Sequence, residues 1–136
     1  MPLQPDQDPG QIIEHADAAR RQAQSVAVGR FGGRPVAIDT ETLGLNPFRD
    51  RLCLVQLSEG DGRAALIRPD GDYRAPELTR LLADESVLKI FHFGRFDLAV
   101  LKHYFGVMPR PVYCTDRKST RLNSSHMSES RMPSSA

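Results

Sequence analysis

Tryptophan is absent from this chain of 136 residues, and cysteine occurs only twice. The two cysteines form no CxxC pair, so a disulfide framework is not indicated, and we expect Cys53 and Cys114 to be buried thiols because each lies in an apolar run. No apolar run approaches the roughly 18 residues of a membrane span, and the N-terminus lacks the features of a signal peptide. We therefore expect a cytoplasmic location and no membrane partner.

A charge excess of either sign is also missing, since the formal net charge is +1. Residues 1–115 carry 14 basic and 15 acidic side chains, and residues 116–136 carry 4 and 2. A near-neutral body does not indicate the strong counterion-release binding of a dedicated nucleic-acid-binding module. If this chain holds a polyanion, bound cations must contribute.

The pattern of the chain predicts one α/β domain over residues 11–115, preceded by a disordered segment 1–10. Three strands separated by short turns come before alternating helices and strands, so an antiparallel meander is followed by crossovers. This order favours a mixed sheet with covering helices, the ribonuclease H-like architecture, incomplete at its C-terminus. The predicted helices cover residues 11–28, 76–83 and 94–105, and the predicted strands cover 36–38, 51–58, 64–67, 87–91 and 112–114.

The segment 116–136 contains seven serines, no aromatic residue and no apolar period. A disordered tail is one interpretation, and a basic arm that contacts phosphates is another. The segment also resembles the conceptual translation of a sequencing-library adapter. We therefore interpret it as a disordered, non-native tail and take Thr115 as the last residue of the domain.

Two acidic residues, Asp39 and Glu41, end the first predicted strand. Side chains alternate along a strand, so both carboxylates lie on one face with their Cα atoms roughly 6.5 Å apart. Like charges that share a small site repel each other unless a cation lies between them, and hard oxygen ligands suit Mg²⁺ or Mn²⁺. The alternative is that both carboxylates are simply solvated at the end of the strand.

A third carboxylate, Asp97, is predicted near the start of the helix over residues 94–105. It lies four positions from Phe93 and from Leu101, on a helix face that should be buried. A buried carboxylate is costly unless something pairs it. Its place in the first turn allows another interpretation, in which Asp97 favours the helix dipole and accepts backbone N–H bonds.

These motifs resemble a known family. The segment VAIDTETLGLNPFRDRLCLVQLS and, about 30 residues later, LKIFHFGRFDLAVL are similar to the first two motifs of DEDD 3′-5′ exonucleases, the ribonuclease D branch in particular. The segment PVYCT is similar to the strand that follows in short, single-domain bacterial ribonuclease D proteins. The resemblance spans residues 36–115 and implies a nuclease, a hydrolase of RNA processing that uses magnesium.

By position, the resemblance implies a metal-binding and catalytic role for three residues. Asp39 would bridge two Mg²⁺ or Mn²⁺ ions, Glu41 would ligate the ion that activates water, and Asp97 would hold the ion at the leaving oxygen. Two ions roughly 4 Å apart would then stabilise both oxygens of an in-line displacement that releases a 5′-nucleotide.

The same resemblance assigns three residues to substrate binding. Thr42 and Leu43 follow the acidic pair and are placed to contact the terminal nucleotide through a hydroxyl and an apolar side chain. His92 is expected to support the site or to satisfy the backbone at its strand's end rather than to bind metal, and Arg95 either meets phosphate or faces solvent. The implied partner is the 3′ end of RNA. Single-stranded DNA remains an alternative, because nothing in the sequence locates a group that reads the 2′-hydroxyl.

One motif of the family does not occur in this chain. A Tyr-x-x-x-Asp segment should position the attacking water and complete the first metal's shell, and Tyr113 precedes the region where it belongs. We therefore expect a C-terminally truncated enzyme with weak metal binding, little turnover and exposed apolar surface on the side of the missing segment. The alternatives are a non-catalytic RNA-binding or scaffold protein with a degenerate exonuclease fold, another ribonuclease H-like endonuclease or integrase, and a proofreading domain.

Overall fold

A computed structural model describes residues 9–116, with side chains for residues 17–25 and 27–116, and this part of the chain forms three helices and five strands. The elements follow the predicted order, and the first helix begins two residues earlier than predicted. Residues 1–8 and all of the predicted tail except Asp116 lie outside the described residues. The helices are α1 (Pro9–Gly29), α2 (Pro76–Ala83) and α3 (Arg95–Phe105), and the strands are β1 (Val36–Thr42), β2 (Leu52–Ser58), β3 (Ala65–Ile67), β4 (Lys89–Phe91) and β5 (Val112–Cys114).

The strands form one mixed sheet in the order β3-β2-β1-β4-β5. β2 pairs antiparallel with both β1 and β3, whereas β4 pairs parallel with both β1 and β5. The short turn between β2 and β3 closes the predicted hairpin. The α/β, ribonuclease H-like mixed sheet expected from the element order is thus confirmed, and β1 lies at its centre.

The three helices pack against one face of the sheet, which we call the helix-covered face. Alternate residues of β1 from Val36 to Thr40 are buried there, whereas Asp39 and Glu41 are exposed on the opposite, open face. The period of two in β1 therefore separates the core from the acidic residues. The helices contribute Val28 from α1, Leu78, Leu81 and Leu82 from α2, and Leu98, Val100 and Leu101 from α3 to the core.

The open face contains apolar residues as well as carboxylates. Leu66 on β3 is 54% exposed and Tyr113 on β5 is 47% exposed. The register across the sheet places Leu66 beside Gln56 and Gln56 beside Asp39. Leu66 and Asp39 therefore lie in one row across the open face. Part of the open face is therefore apolar, at both edges of the sheet.

An irregularity in β2 changes two of the predicted positions. The register of β1 against β2 shifts between Glu41 and Thr42, and Cys53 is skipped. Leu52 is therefore buried on the helix-covered face, which strict alternation along β2 does not predict. The prediction of a buried thiol is confirmed for Cys114 and wrong for Cys53, which is only half-buried because the shift moves it out of the alternation.

Helix α1 is attached to the sheet partly by polar side chains. The apolar spacing of the sequence predicts Ala19 and Ala23 near its inner face, but both are exposed. Instead, Arg20 donates to the carboxylate of Asp70 over 2.5 Å, and Gln24 accepts a hydrogen bond from the backbone beyond β3. Among the described residues, no helix is long and apolar enough to span a membrane.

Candidate active site

The C-terminal end of β1 presents two carboxylates, Asp39 and Glu41, on the open face of the sheet. The sequence prediction that they share a face is confirmed. The parallel neighbour β4 pairs with β1 only near Val36 and Ala37 and ends at Phe91. The acidic residues therefore extend past the end of the neighbouring strand, at the type of sheet edge where α/β proteins place ligands.

Asp97 lies in the first turn of α3 and is 6% exposed, so the predicted buried carboxylate is confirmed. Its Oδ1 atom accepts two hydrogen bonds from Thr40, one from the backbone N–H over 3.1 Å and one from the hydroxyl over 2.5 Å. The partner that a buried carboxylate requires is thus the residue between Asp39 and Glu41.

The electrostatics of Asp97 link it to the end of β1. Burial raises the pKa of the Asp97 carboxyl above its usual range, the hydrogen bond from the Thr40 hydroxyl opposes this shift, and the negative charge of Asp39 adds to it. Asp39 and Asp97 therefore lie close enough for their charges to interact.

Thr42 and Leu43 continue from β1 into the loop before β2. The hydroxyl of Thr42 donates to the carbonyl oxygen of Gly44 over 2.6 Å, so it holds the loop in this structure. The side chain of Leu43 is 73% exposed, while its backbone N–H donates to the carbonyl oxygen of Arg51 over 2.9 Å. Leu43 therefore exposes an apolar side chain to solvent directly after the acidic pair, while a hydrogen bond holds its backbone in place.

His92 follows β4 and is exposed. Its Nδ1 atom is 2.8 Å from the hydroxyl oxygen of Thr115, and its ring packs edge-on against Phe93 with ring centroids 4.4 Å apart. The ring therefore contacts a side chain beyond β5. Arg95, at the start of α3, is exposed to solvent.

Phe93 departs from the sequence prediction. The apolar spacing places it on the buried face of the following helix, but α3 begins only at Arg95 and Phe93 is 59% exposed. Its backbone has φ of 52°, in the left-handed region that non-glycine residues rarely adopt. The chain needs this turn between β4 and α3, and the turn directs the ring away from the core.

Sequence reasoning missed one residue beside the site, Thr40, and two exposed apolar residues in the loop that follows β1. Thr40 carried no signal except its place between two carboxylates. Leu45 and Phe48 lie in the loop between β1 and β2 and are 90% and 68% exposed. The signal that could have identified them is the presence of large apolar residues in a segment rich in glycine, asparagine and proline, where no core contact is expected.

The carboxylates fit a hard divalent cation by their chemistry. Asp39 and Glu41 offer exposed oxygens, and the pKa of Asp97 is raised first by burial and then by the charge of Asp39, which a nearby cation would offset. Within residues 9–116, however, no three His, Cys, Asp or Glu side chains are gathered tightly enough to surround one ion. Asp39 and Glu41 share the open face of β1, and the charge of Asp39 acts on Asp97.

A five-stranded mixed sheet with carboxylates at the end of its central strand defines a ribonuclease H-like protein of the exonuclease type. The chain belongs to the 3′-5′ exonuclease family, whose sequence profile matches residues 11–132. Ribonuclease D of Zymomonas mobilis is 39% identical over 82 residues, which cover 59% of this chain and 21% of the relative.

Two solved structures place the fold among the same proteins. Brucella melitensis NrnC is 64% identical with a TM-score of 0.59, and the match covers 64% of this chain and 44% of that protein. Escherichia coli RNase D, described as an exoribonuclease involved in structured RNA processing, is 34% identical with a TM-score of 0.57 over 72% of this chain and 25% of its own. The chain thus spans about a fifth of the curated relative's length.

Proposed function

We propose that this chain is part of a 3′-5′ exonuclease that acts on RNA 3′ ends and releases 5′-nucleotides with the help of divalent metal ions. The observation that carries the proposal is the position of Asp39, exposed at the end of the central strand and electrostatically coupled to the buried Asp97. Its relatives support the choice of substrate, because the curated ones are ribonucleases D and one solved Trypanosoma brucei RNase D is bound to RNA U12.

We assign metal binding to Asp39, Glu41 and Asp97. A Brucella melitensis NrnC structure with bound Mg²⁺ supports Mg²⁺ as the ion, and two ions are proposed, with Mn²⁺ as a substitute. When bound, such ions activate water and stabilise charge on the phosphodiester oxygens. The chain's own contribution is to hold a negatively charged edge beside the start of α3. A cation there brings an RNA phosphate to a near-neutral body that lacks the basic excess to attract it.

Short RNA ends are the substrates that this surface suits best. The domain lacks the basic excess that would hold a long polyanion, and its exposed apolar side chains, Leu43 and Phe93, flank the acidic residues in sequence. Apolar and aromatic side chains bind bases through their faces regardless of sequence. A Brucella melitensis NrnC structure bound to pGG supports a dinucleotide as a substrate of this kind.

The test uses pGG and the full chain. Binding of pGG in the presence of Mg²⁺ is measured by calorimetry, and release of 5′-nucleotide is followed by anion-exchange chromatography. We expect Asp39→Asn to abolish binding, with Glu85→Gln, an exposed carboxylate outside the site, as the matched control. Equal affinity in the wild type and Asp39→Asn would reject the assignment.

Turnover separates the enzyme from its non-catalytic alternative. Because the Tyr-x-x-x-Asp motif does not occur in this sequence, we propose that the chain binds but hydrolyses slowly or not at all. Sequencing the source locus across codon 115 decides the point. A reading frame that continues into this motif would favour a truncated exonuclease, whereas a stop codon would favour an RNA-binding or scaffold protein.

A further inference from the structure

Thr40 lies between Asp39 and Glu41 but points to the other face of β1. It is 8% exposed, and both of its donors, the backbone N–H and the hydroxyl, end on the Oδ1 atom of Asp97. These are contacts between the central strand and the start of α3, 57 residues apart in sequence. Thr40 is therefore the residue through which the acidic strand touches the third carboxylate.

The backbone bond follows from the early end of β4. Backbone N–H groups alternate sides along a strand, so those of Val36 and Thr40 point toward the same neighbour. The N–H of Val36 donates to the carbonyl oxygen of Leu88 over 2.8 Å, but β4 ends at Phe91 and offers Thr40 no strand carbonyl. Since a buried N–H requires a partner, the carboxylate of Asp97 takes the place of that carbonyl.

The hydrogen bond from the Thr40 hydroxyl is not required by strand pairing, and it acts on the carboxylate of Asp97. A carboxylate oxygen has about two lone-pair directions, and two donors on one oxygen leave the other oxygen for any further ligand. Two bonds from one residue, with different directions, also fix the rotation of the carboxylate. Thr40 thus occupies Oδ1 and restricts how the carboxylate is aimed, beside the backbone N–H of Asp97, which also bonds to this carboxyl.

We propose that Thr40 is a positioning residue, which holds Asp97 by its Oδ1 atom so that the Oδ2 atom is presented toward the cation-binding edge beside Asp39. The inference rests on the proposed function, because it assigns Asp97 a cation to face. Groups that orient a ligand carboxylate in this way contribute to metal affinity without touching the metal.

A purely structural role for Thr40 makes a different prediction. Valine has nearly the shape of threonine and retains the backbone N–H, so Thr40→Val fills the same space and replaces the hydroxyl with a methyl group. Serine keeps the hydroxyl and removes a methyl group. If the role of Thr40 is packing, Thr40→Ser should perturb the site more than Thr40→Val. If its role is to position Asp97, Thr40→Val should perturb the site more.

The experiment compares the full chain with its Thr40→Val and Thr40→Ser variants. The ¹³C resonance of the Asp97 carboxyl carbon is recorded without metal, and the affinity for Mn²⁺ alone is then measured by electron paramagnetic resonance. We expect Thr40→Val to shift the resonance and to weaken Mn²⁺ binding about tenfold, and Thr40→Ser to resemble the wild type in both. A valine variant that matches the wild type in either measurement, or a serine variant that matches valine, would overturn the proposal.

Two further measurements cover the cases in which the wild type binds no Mn²⁺ or Thr40→Val does not fold. If the wild-type chain binds no Mn²⁺, the proposed function fails, while the Asp97 resonance still decides whether Thr40 positions the carboxylate. If Thr40→Val does not fold by circular dichroism, hydrogen exchange of the Thr40 amide replaces it. Slow exchange in the wild type that becomes fast in Asp97→Ala supports the contact, and fast exchange in the wild type refutes it.

Discussion

The Nζ atom of Lys89 donates a hydrogen bond to the carbonyl oxygen of Arg110 over 2.8 Å, although Lys89 has no exposed surface. The same ammonium group also donates to the carbonyl oxygen of Asp84, and the backbone N–H of Lys89 bonds to Pro111 over 3.0 Å. A single buried lysine on β4 therefore joins the end of α2 to the approach to β5. Burial lowers the pKa of this ammonium to about 8, against the attraction of Asp84 and Glu85.

The first prediction is a stability that rises with pH because of Lys89. The pKa is about 8 in the folded chain and has its ordinary value of 10.5 when unfolded, so the unfolded chain binds more protons between these values. The contribution is fully present above pH 10.5 and is lost as the pH falls to about 8. Relative to Lys89→Met, the wild-type free energy of unfolding should rise across this window by up to about 3 kcal/mol.

Urea denaturation at several pH values measures this difference. Lys102→Met serves as the control, because Lys102 is exposed and donates only to the carbonyl oxygen of Gly106. A wild-type curve parallel to that of Lys89→Met would show that the buried ammonium does not control the pH dependence.

The second prediction concerns the attachment of α1. Arg20 bonds to Asp70 over 2.5 Å and to the carbonyl oxygen of Arg68 over 2.7 Å, whereas the contact of Arg21 with Asp70 is longer, at 3.4 Å. Arg20→Ala should loosen α1 and lower the free energy of unfolding by about 1 kcal/mol, while Arg21→Ala should have little effect. Hydrogen exchange of the α1 amides measures which variant loosens the helix more. Equal exchange in Arg20→Ala and Arg21→Ala would contradict the prediction.

The third prediction concerns the loop between β1 and β2. A Cβ atom on Gly44 would lie 2.2 Å from the Oδ2 atom of Asp50, which accepts a hydrogen bond from the backbone N–H of Asn46 over 2.9 Å. Gly44→Ala should displace this carboxylate and lower the free energy of unfolding by about 1 kcal/mol. Gly33→Ala is the control, since a Cβ there meets nothing within 4 Å. Thermal unfolding that is the same for both variants would refute the contact.

The fourth prediction concerns the effect of the three carboxylates on Mn²⁺ affinity. Asp39→Asn and Asp97→Asn should each weaken binding about tenfold or more, because these two charges interact. Glu41→Gln should weaken it as well, since Glu41 lies on the same face of β1 as Asp39. Calorimetric titration measures the series, with Glu85→Gln as the unchanged control. Identical affinities in Asp39→Asn, Asp97→Asn and the wild type would remove the site.

Much of the fold was predictable because its signals are local. The period of two in β1 and the short turn before β3 indicated the meander, and the left-handed Gly106 ends α3 as its sequence position suggests. The burial of Asp97 was predictable because a carboxylate on an apolar helix face is costly, and the shared face of Asp39 and Glu41 was predictable from the strand period.

The parts that sequence reasoning missed depend on contacts between distant segments. The burial of Leu52 follows from a register shift that involves both strands of a pair. The exposure of Phe93 follows from where β4 stops, which the apolar pattern does not encode. Thr40 has no unusual feature by itself, and its role is visible only when α3 is placed against β1.

The alternation in β1 has a consequence for how this strand can change its length. Its even-numbered residues, such as Ile38 and Thr40, serve the core, while its odd-numbered ones, such as Asp39 and Glu41, carry the charge. A substitution at an even-numbered residue of β1 does not change the face on which the odd-numbered residues lie, and the reverse also holds. An insertion or deletion of one residue would exchange the two sets and place carboxylates in the apolar interior. Changes of chain length between homologous proteins should therefore be excluded from β1 and confined to the adjoining turns.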